Sequence, residues 1–571
     1  MMKKRWNAFW SFAGDKKYLL LLLLTAVCSY GYKVTHFAIG IDDTPSRYYF
    51  DEGLAAIVGR WVMFLLNKVV HVAELTPFLP DLAGVLILMA AVTVWCALFY
   101  DILGDWLPKV GYYFFACIFL SCPLISEVYT YYLHNAIAIG YLCCGLSLWL
   151  FRQKGIKKYL LSAVLLWIGV GCYESFMVVW LLGVCLILMT ERIAKNRVSV
   201  WKKLGVAIGV ALLAMVMRSV MIAAVTKVFG LEYLKEAAIQ RSVTEMAGWL
   251  FEPGAFSELA MVLKRLFVMY GVFGYAYYPI KIFVFASAFI VGYSIYRMIR
   301  NRDLWIAILC LGSFVVSFLL AIVEGKATYY RSAQFLPVIC GYGVLLFVYA
   351  CRGLWKEPRQ SKGIRYRACC VGKGVVVVML SAVLWNQCMD MTHWFYVDDM
   401  KYQNAKEMVS RISYDLESKF DTNKPVIFTN TWEVPKGIIG DAYVAYGSET
   451  YYKMKRITDM VDEHLLEKFN RSYGVWVAQT PALSVIDWGR YAFDSDAELT
   501  TFFSLHGHEL VPLTDISLYQ DIEVMSLSLP QYPQEGYIAD MGDYIIVHLQ
   551  ALAFIDAILR RGEFPGPHIY P

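Results

Sequence analysis

Disulfide chemistry, zinc capture and nucleotide hydrolysis lack their usual support in this chain. It holds no Cys-x-x-Cys pair, no His-Glu-x-x-His helix and no Walker-type glycine loop, the spacings that carry redox, zinc and phosphate-cradling chemistry. All fourteen cysteines lie between Cys28 and Cys388. The segment beyond them therefore has no disulfide framework and must be held by core packing. The cysteines of the earlier part read as small apolar packing residues. Charge is scarce too: Asp, Glu, Lys and Arg make up 17% of residues. The net charge of +5 is spread over short basic segments between apolar runs, which is how topology signals are distributed. No nucleic-acid partner is needed to explain it. There is no internal repeat and no low-complexity tract.

What is abundant is apolar surface. Hydrophobic residues make up 58% of the chain and mean hydropathy is +0.49, far from the balance of a soluble protein. The run from Tyr18 to Phe37 matches the ~20 residues that cross a hydrocarbon core as a helix. It lacks the short core and Ala-x-Ala signature of a cleavable signal, so it reads as an uncleaved span. Further apolar windows fall near 81 to 100, 110 to 126, 133 to 151, 159 to 173, 175 to 190, 202 to 225, 279 to 297, 304 to 323, 332 to 351 and 374 to 390. The expected fold is an α-helical polytopic membrane protein of about eleven transmembrane helices.

Basic clusters lie at Lys3 to Lys17, Arg152 to Lys158, Arg192 to Lys203, Arg297 to Arg302 and Arg352 to Lys373. Under this count all of them share one side, so the positive-inside rule puts the N-terminus in the cytoplasm and the C-terminus outside. The outer segments are then 38 to 80, 127 to 132, the Tyr173-Glu174 hairpin, 226 to 278, 324 to 331 and everything after about 391. Leu54 to His71 carries apolar residues at helical spacing and is expected as an amphipathic helix on the membrane surface, with Glu258 to Tyr278 a second. The composition changes at 391. We expect a membrane domain over 1–390 and an extracytoplasmic α/β domain over 391–571. Tyr402 to Lys419 and Asp494 to Leu505 read as helices, and Pro425 to Thr429 and Tyr544 to His548 as strands.

The acidic pair Asp42 and Asp43 follows the first span, in the segment Gly40-Ile-Asp-Asp-Thr-Pro-Ser-Arg-Tyr-Tyr49. A sugar hydroxyl is a poor nucleophile, and a carboxylate within hydrogen-bond reach can take its proton as the bond to an anomeric carbon forms. Adjacent carboxylates raise one another's proton affinity, which suits one of the pair to that task. A departing lipid phosphate gains negative charge, which arginine and lysine stabilise. Arg47, Arg60, Lys326 and Arg331 are the candidates on the outer side, with Glu174 beside them. Each residue also has a plainer reading. Asp-Asp-Thr-Pro makes a good turn or helix cap. Arg60 and Lys68 can snorkel to headgroups, and Arg331 and Lys326 can anchor helix ends at the interface. Glu174 is either a helix-end charge or a wall of an acceptor cavity. Glu127 with His134 can order a loop but is too small a set for a metal site. Tyr48-Tyr49 and Tyr131-Tyr132 suit an aromatic belt.

An acidic motif in the first outer loop, a following surface helix, many spans and a terminal outer domain resemble the GT-C fold glycosyltransferases. Within them the chain is most similar to the bacterial glucosyltransferase type II group related to O-antigen glucosyltransferases. The residues carrying this likeness are Asp42-Asp43 with Arg47, Gly59-Arg60-Trp61, Tyr173-Glu174-Ser175-Phe176, Tyr329-Tyr330-Arg331, and Asp399 to Ile412 leading into Lys424-Pro425-Val426-Ile427. The resemblance implies an inverting transfer of a hexose, glucose above all, from a polyprenyl-phosphate donor to a cell-surface glycan outside the membrane. Asp42 and Asp43 would be catalytic, and Arg47, Arg60, Glu174, Lys326 and Arg331 substrate-binding. No cofactor is required; some relatives use a divalent ion, but no further ligands accompany Asp42 and Asp43. A lipid-linked sugar flippase should carry charge deep inside its spans along a pathway, and only Arg218 and Glu174 are candidates here, which weakens that reading. A non-catalytic envelope assembly protein would leave the acidic loop dispensable.

Overall fold

The computed structural model describes residues 9–38, 53–71, 76–130, 134–194, 199–235, 248–251, 253–268, 270, 280–324, 330–355, 364–429, 496–513, 515 and 518–549. In chain order the helices are α1 (Lys16–Thr35), α2 (Leu54–Ile57), α3 (Trp61–Val70), α4 (Leu79–Leu103), α5 (Lys109–Leu120), α6 (Leu124–Thr130), α7 (His134–Phe151), α8 (Ile156–Cys172) and α9 (Phe176–Ile193). They continue with α10 (Val200–Val228), α11 (Ala255–Val268), α12 (Lys281–Asn301), α13 (Leu304–Ser317), α14 (Leu319–Glu324), α15 (Leu336–Ala350) and α16 (Ile364–Lys419). Among the described residues eight helices are long and apolar enough to cross a membrane: α1, α4, α7, α9, α10, α12, α15 and α16. The chain is a helical membrane protein. The windows 110 to 126, 159 to 173 and 304 to 323 fall on the shorter helices α5 with α6, α8, and α13 with α14.

Local chemistry sets these boundaries. Asp15 caps α1 by accepting from the backbone N–H groups of Lys17 and Tyr18. Pro123, which has no N–H to donate, separates α5 from α6. The expected surface helix over 54 to 71 is corrected: it breaks at Gly59, whose φ of +97° no regular helix can contain. Nor does its apolar face lie open to lipid, since Ala55, Ala56 and Phe64 are all fully buried in protein. α10 is the opposite case. Only 17% of its apolar window is buried, and Leu212, Val216 and Val220 are exposed along it. An apolar helix left uncovered in this way is suited to face lipid.

The chain divides into two compact units, one of Met1–Phe37 with Arg47–Phe395 and the other of Ala38–Ser46 with Tyr396–Pro571. In the first, ion pairs gather helix ends. Lys109 and Tyr113 hold Asp15 at 2.9 and 2.6 Å, Arg152 joins Asp101 to Glu191, and Arg192 meets Asp303 at 2.6 Å. These contacts bring the starts of α1, α5 and α13 together with the ends of α4, α7 and α9 at one end of the bundle. Lys33, Asp81, His134 and Glu174 belong to the opposite end of the same helices or to the turn that joins them.

The second unit contains the C-terminal part of α16, β1 (Val426–Thr429), α17 (Asp496–Leu505), α18 (Tyr519–Ser526), β2 (Ile538–Asp540) and β3 (Ile545–His548). The strands form a mixed sheet of order β1-β3-β2, with β1 parallel and β2 antiparallel to β3. All four residues of β1 and of β3 are buried, as expected for strands covered on both faces. Ile427, Ile522 and Ile546 form a core there, flanked by Leu513, Leu529 and Tyr544.

Candidate active site

The triplet Gly59-Arg60-Trp61 makes the turn between α2 and α3, and each residue has a different task. Gly59 takes the left-handed conformation that closes the turn, with Arg60 N–H donating to Ala55 O at 2.8 Å. It also leaves space: a Cβ there would lie 1.7 Å from Arg218 Nη2. The guanidinium of Arg218 fills that space and donates to Val58 O at 2.9 Å. Trp61 stacks on Trp167 with centroids 4.6 Å apart. A Cβ on Gly171 would lie 2.3 Å from its Nε1, so α3 seats on α8 only because that position is glycine.

Arg60 reaches across to the α8–α9 hairpin. Its Nε donates to Glu174 Oε2 at 3.1 Å and its Nη2 to Oε1 at 2.8 Å, the forked geometry in which arginine binds a carboxylate best. The guanidinium also lies 4.1 Å from the centroid of the Tyr173 ring, within cation–π range. The snorkelling reading of Arg60 is thereby corrected, because a fixed partner holds its head. Glu174 feels opposing influences. Burial, the largest, pushes its carboxyl upward, but the charge and hydrogen bonds of Arg60, together with Arg218, outweigh it and hold Glu174 below the usual glutamate range. Two guanidiniums thus surround one carboxylate.

Tyr173 extends the site. Its hydroxyl lies 3.3 Å from Ser332 Oγ, in the short turn Tyr330–Ser332 that packs against α6. The same turn carries Arg331, whose carbonyl accepts from Gln334 Nε2 at 2.6 Å. On α6 and the adjoining helix ends is a second buried polar group. His134 Nε2 lies 3.4 Å from Asp81 Oδ1, and the His134 ring stacks on Tyr129 with centroids 4.5 Å apart. Tyr129 in turn meets Tyr30 at 5.2 Å. Lys33, one turn beyond Tyr30 on α1, is 5% exposed and acts electrostatically on His134. Glu127 and Asn135 are buried as well. Ionisable groups buried at this end of a membrane bundle are a functional site by default.

Of the residues singled out from sequence, Arg60 and Glu174 are brought into direct contact, and Arg331 is linked to them through Ser332 and Tyr173. Asp42, Asp43, Arg47 and Lys326 lie outside the described residues, as do Tyr48-Tyr49 and Tyr131-Tyr132. Lys68 is exposed on α3. The contribution of Arg218 to this site, and the presence of Lys33 and Asp81 in the neighbouring group, are not apparent from sequence. The available signal was an ionisable residue within or at the edge of an apolar run; Lys33 and Asp81 are easily taken for the polar margins of their spans. Among the described residues no group of three or more His, Cys, Asp or Glu side chains is arranged to hold a metal ion.

Comparison with known families resolves the class of chemistry. Residues 31–348 match the glucosyl transferase GtrII family. The chain belongs to this family. The match takes in Arg60, Glu174, Arg218 and Arg331, and also Asp42 and Asp43. Neither the curated proteins nor the solved structures give a significant match. The membership makes the protein a glycosyltransferase, with a sugar donor and a glycan acceptor as its substrates.

Proposed function

We propose that this protein is a multi-pass inverting glucosyltransferase that moves a hexose from a polyprenyl-phosphate donor to a cell-surface glycan on the extracytoplasmic side. The observation that carries the reading is the GtrII match over 31–348, a stretch that includes the Arg60, Glu174 and Arg218 group. About eleven spans, a cytoplasmic N-terminus and an outer C-terminal α/β domain from about residue 391 complete the proposal, on the strength of the apolar windows and basic clusters.

In the proposed step an acceptor hydroxyl oxygen attacks the anomeric carbon from the face opposite the phosphate. The carbon–oxygen bond to the phosphate breaks, and its electron pair leaves with the lipid phosphate. Asp42 or Asp43 takes the hydroxyl proton. Of the two, Asp42 is favoured as the base, since Asp43 adjoins Thr44-Pro45 and suits capping of the following turn. Cationic side chains at the outer end of the bundle stabilise the phosphate charge as it grows.

The test is transfer by the purified full chain in vesicles, supplied with polyprenyl-phosphate glucose labelled in the sugar and a glycan acceptor. Labelled glycan with the anomeric configuration inverted relative to the donor is the expected product. Movement of labelled donor between leaflets without any glycosylated product would instead identify a transporter.

A further inference from the structure

We infer that Arg218 is the residue that binds the phosphate of a lipid-borne ligand at this site, either the sugar donor or a phospholipid headgroup. The donor form of this inference rests on the transferase reading above.

The argument begins with the helix. Between Lys203 and Lys227, α10 carries no ionisable residue except Arg218, and its neighbours Val216 and Val220 are exposed apolar side chains. A lone arginine inside an apolar span is costly unless it has a polar destination. Here it has one. The guanidinium turns into the α2–α3 turn, into the space left by the missing Cβ of Gly59, and acts electrostatically on both Arg60 and Glu174.

Glu174 is taken up by the fork of Arg60, and what Arg218 finds is the neutral carbonyl of Val58. Its Nε is buried without a hydrogen-bond partner among the described residues. Among the described residues Arg218 therefore keeps an unused donor, and its one hydrogen bond goes to an uncharged group. Exposed apolar side chains of α10, Val216 and Val220, lie on either side of this position, so a lipid-borne ligand can reach Arg218 along the helix. A phosphate ester on a lipid supplies the acceptor oxygens and the negative charge that this guanidinium lacks. A soluble anion would have no reason to approach along an apolar helix face.

The experiment measures binding of a short-chain polyprenyl phosphate to the full chain in phosphatidylcholine vesicles, read from the fluorescence of Trp61 and Trp167 beside the site. Loss of a charge-assisted contact in Arg218→Gln should weaken binding by about 10- to 100-fold, and Arg218→Lys by less. The KM for the glycan acceptor should not move. Adding phosphatidylglycerol separates the two sources. If the arginine serves a headgroup, that lipid competes with polyprenyl phosphate on the unmodified protein and stops competing in Arg218→Gln. If it serves the donor, no such competition develops, and the KM for polyprenyl-phosphate glucose rises in the variant. Unchanged binding of both lipids in Arg218→Gln and Arg218→Lys overturns the inference, whether or not glucose is transferred. A chain that binds polyprenyl phosphate through Arg218 but forms no glycosylated product would overturn the transferase reading instead.

Discussion

Arg218 occupies the position that a side chain on Gly59 would need, with Nη2 only 1.7 Å from where that Cβ would be. A turn in sequence and a charge 159 positions later are thereby parts of one device. Substituting Gly59 by alanine strains a φ of +97°, at a cost of about 1–2 kcal/mol, and also pushes the guanidinium out. We predict a lower melting temperature together with a raised KM for the lipid-linked donor. A variant that is destabilised but keeps its donor KM would show that the glycine serves the turn alone.

Arg60 and Glu174 should behave as a unit. Fully buried ion pairs lose about 3–5 kcal/mol when one partner is removed, whereas exposed pairs contribute about 0–1 kcal/mol. With the Glu174 side chain 39% exposed, removing either partner should cost about 1–2 kcal/mol. The double substitution should cost less than the sum, which a thermal-unfolding cycle measures. The pH dependence follows from the same pair. Because the folded carboxyl is held below its ordinary value of 4.5, its contribution is complete above that pH and is lost as pH falls through the folded value. The stability difference between the unmodified protein and Glu174→Gln should be constant from neutral pH to about 4.5 and shrink below it. A difference that already fades near pH 6.5 would assign the effect to a group other than this carboxylate.

His548 makes a separate prediction for the second unit. The residue is 1% exposed, Nδ1 donates to Leu529 O at 3.0 Å, and Nε2 is buried with no partner among the described residues. Burial therefore pushes its pKa below 6.5. A depressed folded value means that stability is complete above 6.5 and falls away as pH drops through that value, where the unfolded chain takes up the proton first. Protection of residues 538–549 from hydrogen exchange, corrected for the intrinsic pH dependence of exchange, should decline below pH 6.5 in the unmodified protein and less in His548→Gln. Equal decline in both would assign the effect elsewhere.

Much of the helical plan is legible in the sequence, because a span is a local property: its length and apolar content are visible in about twenty residues. β1 and β3 are legible for the same reason, as short runs of Val, Ile and Phe. The breaks were harder. Pro123 divides the window 110 to 126, and Gly59 divides the stretch 54 to 71, because a single backbone constraint overrides the hydrophobic period. The site is the least legible part. Arg60 and Glu174 stand 114 positions apart, and nothing local to either names the other. Arg218 was visible as a charge within a span, but the carbonyl and the glycine space that receive it exist only once α10 packs beside the α2–α3 turn.

The acidic pair Asp42-Asp43, which follows the first apolar run in sequence, bears most directly on the account. Asp42→Asn, Asp43→Asn and the double substitution keep side-chain shape while removing the proton acceptor. Turnover of polyprenyl-phosphate glucose by the purified chain in vesicles should fall by about 10² to 10⁴ in the variant that lacks the base, with protein level and donor binding little changed. Transfer at the unmodified rate by all of these variants would show the acidic loop to be structural and contradict the mechanism proposed here.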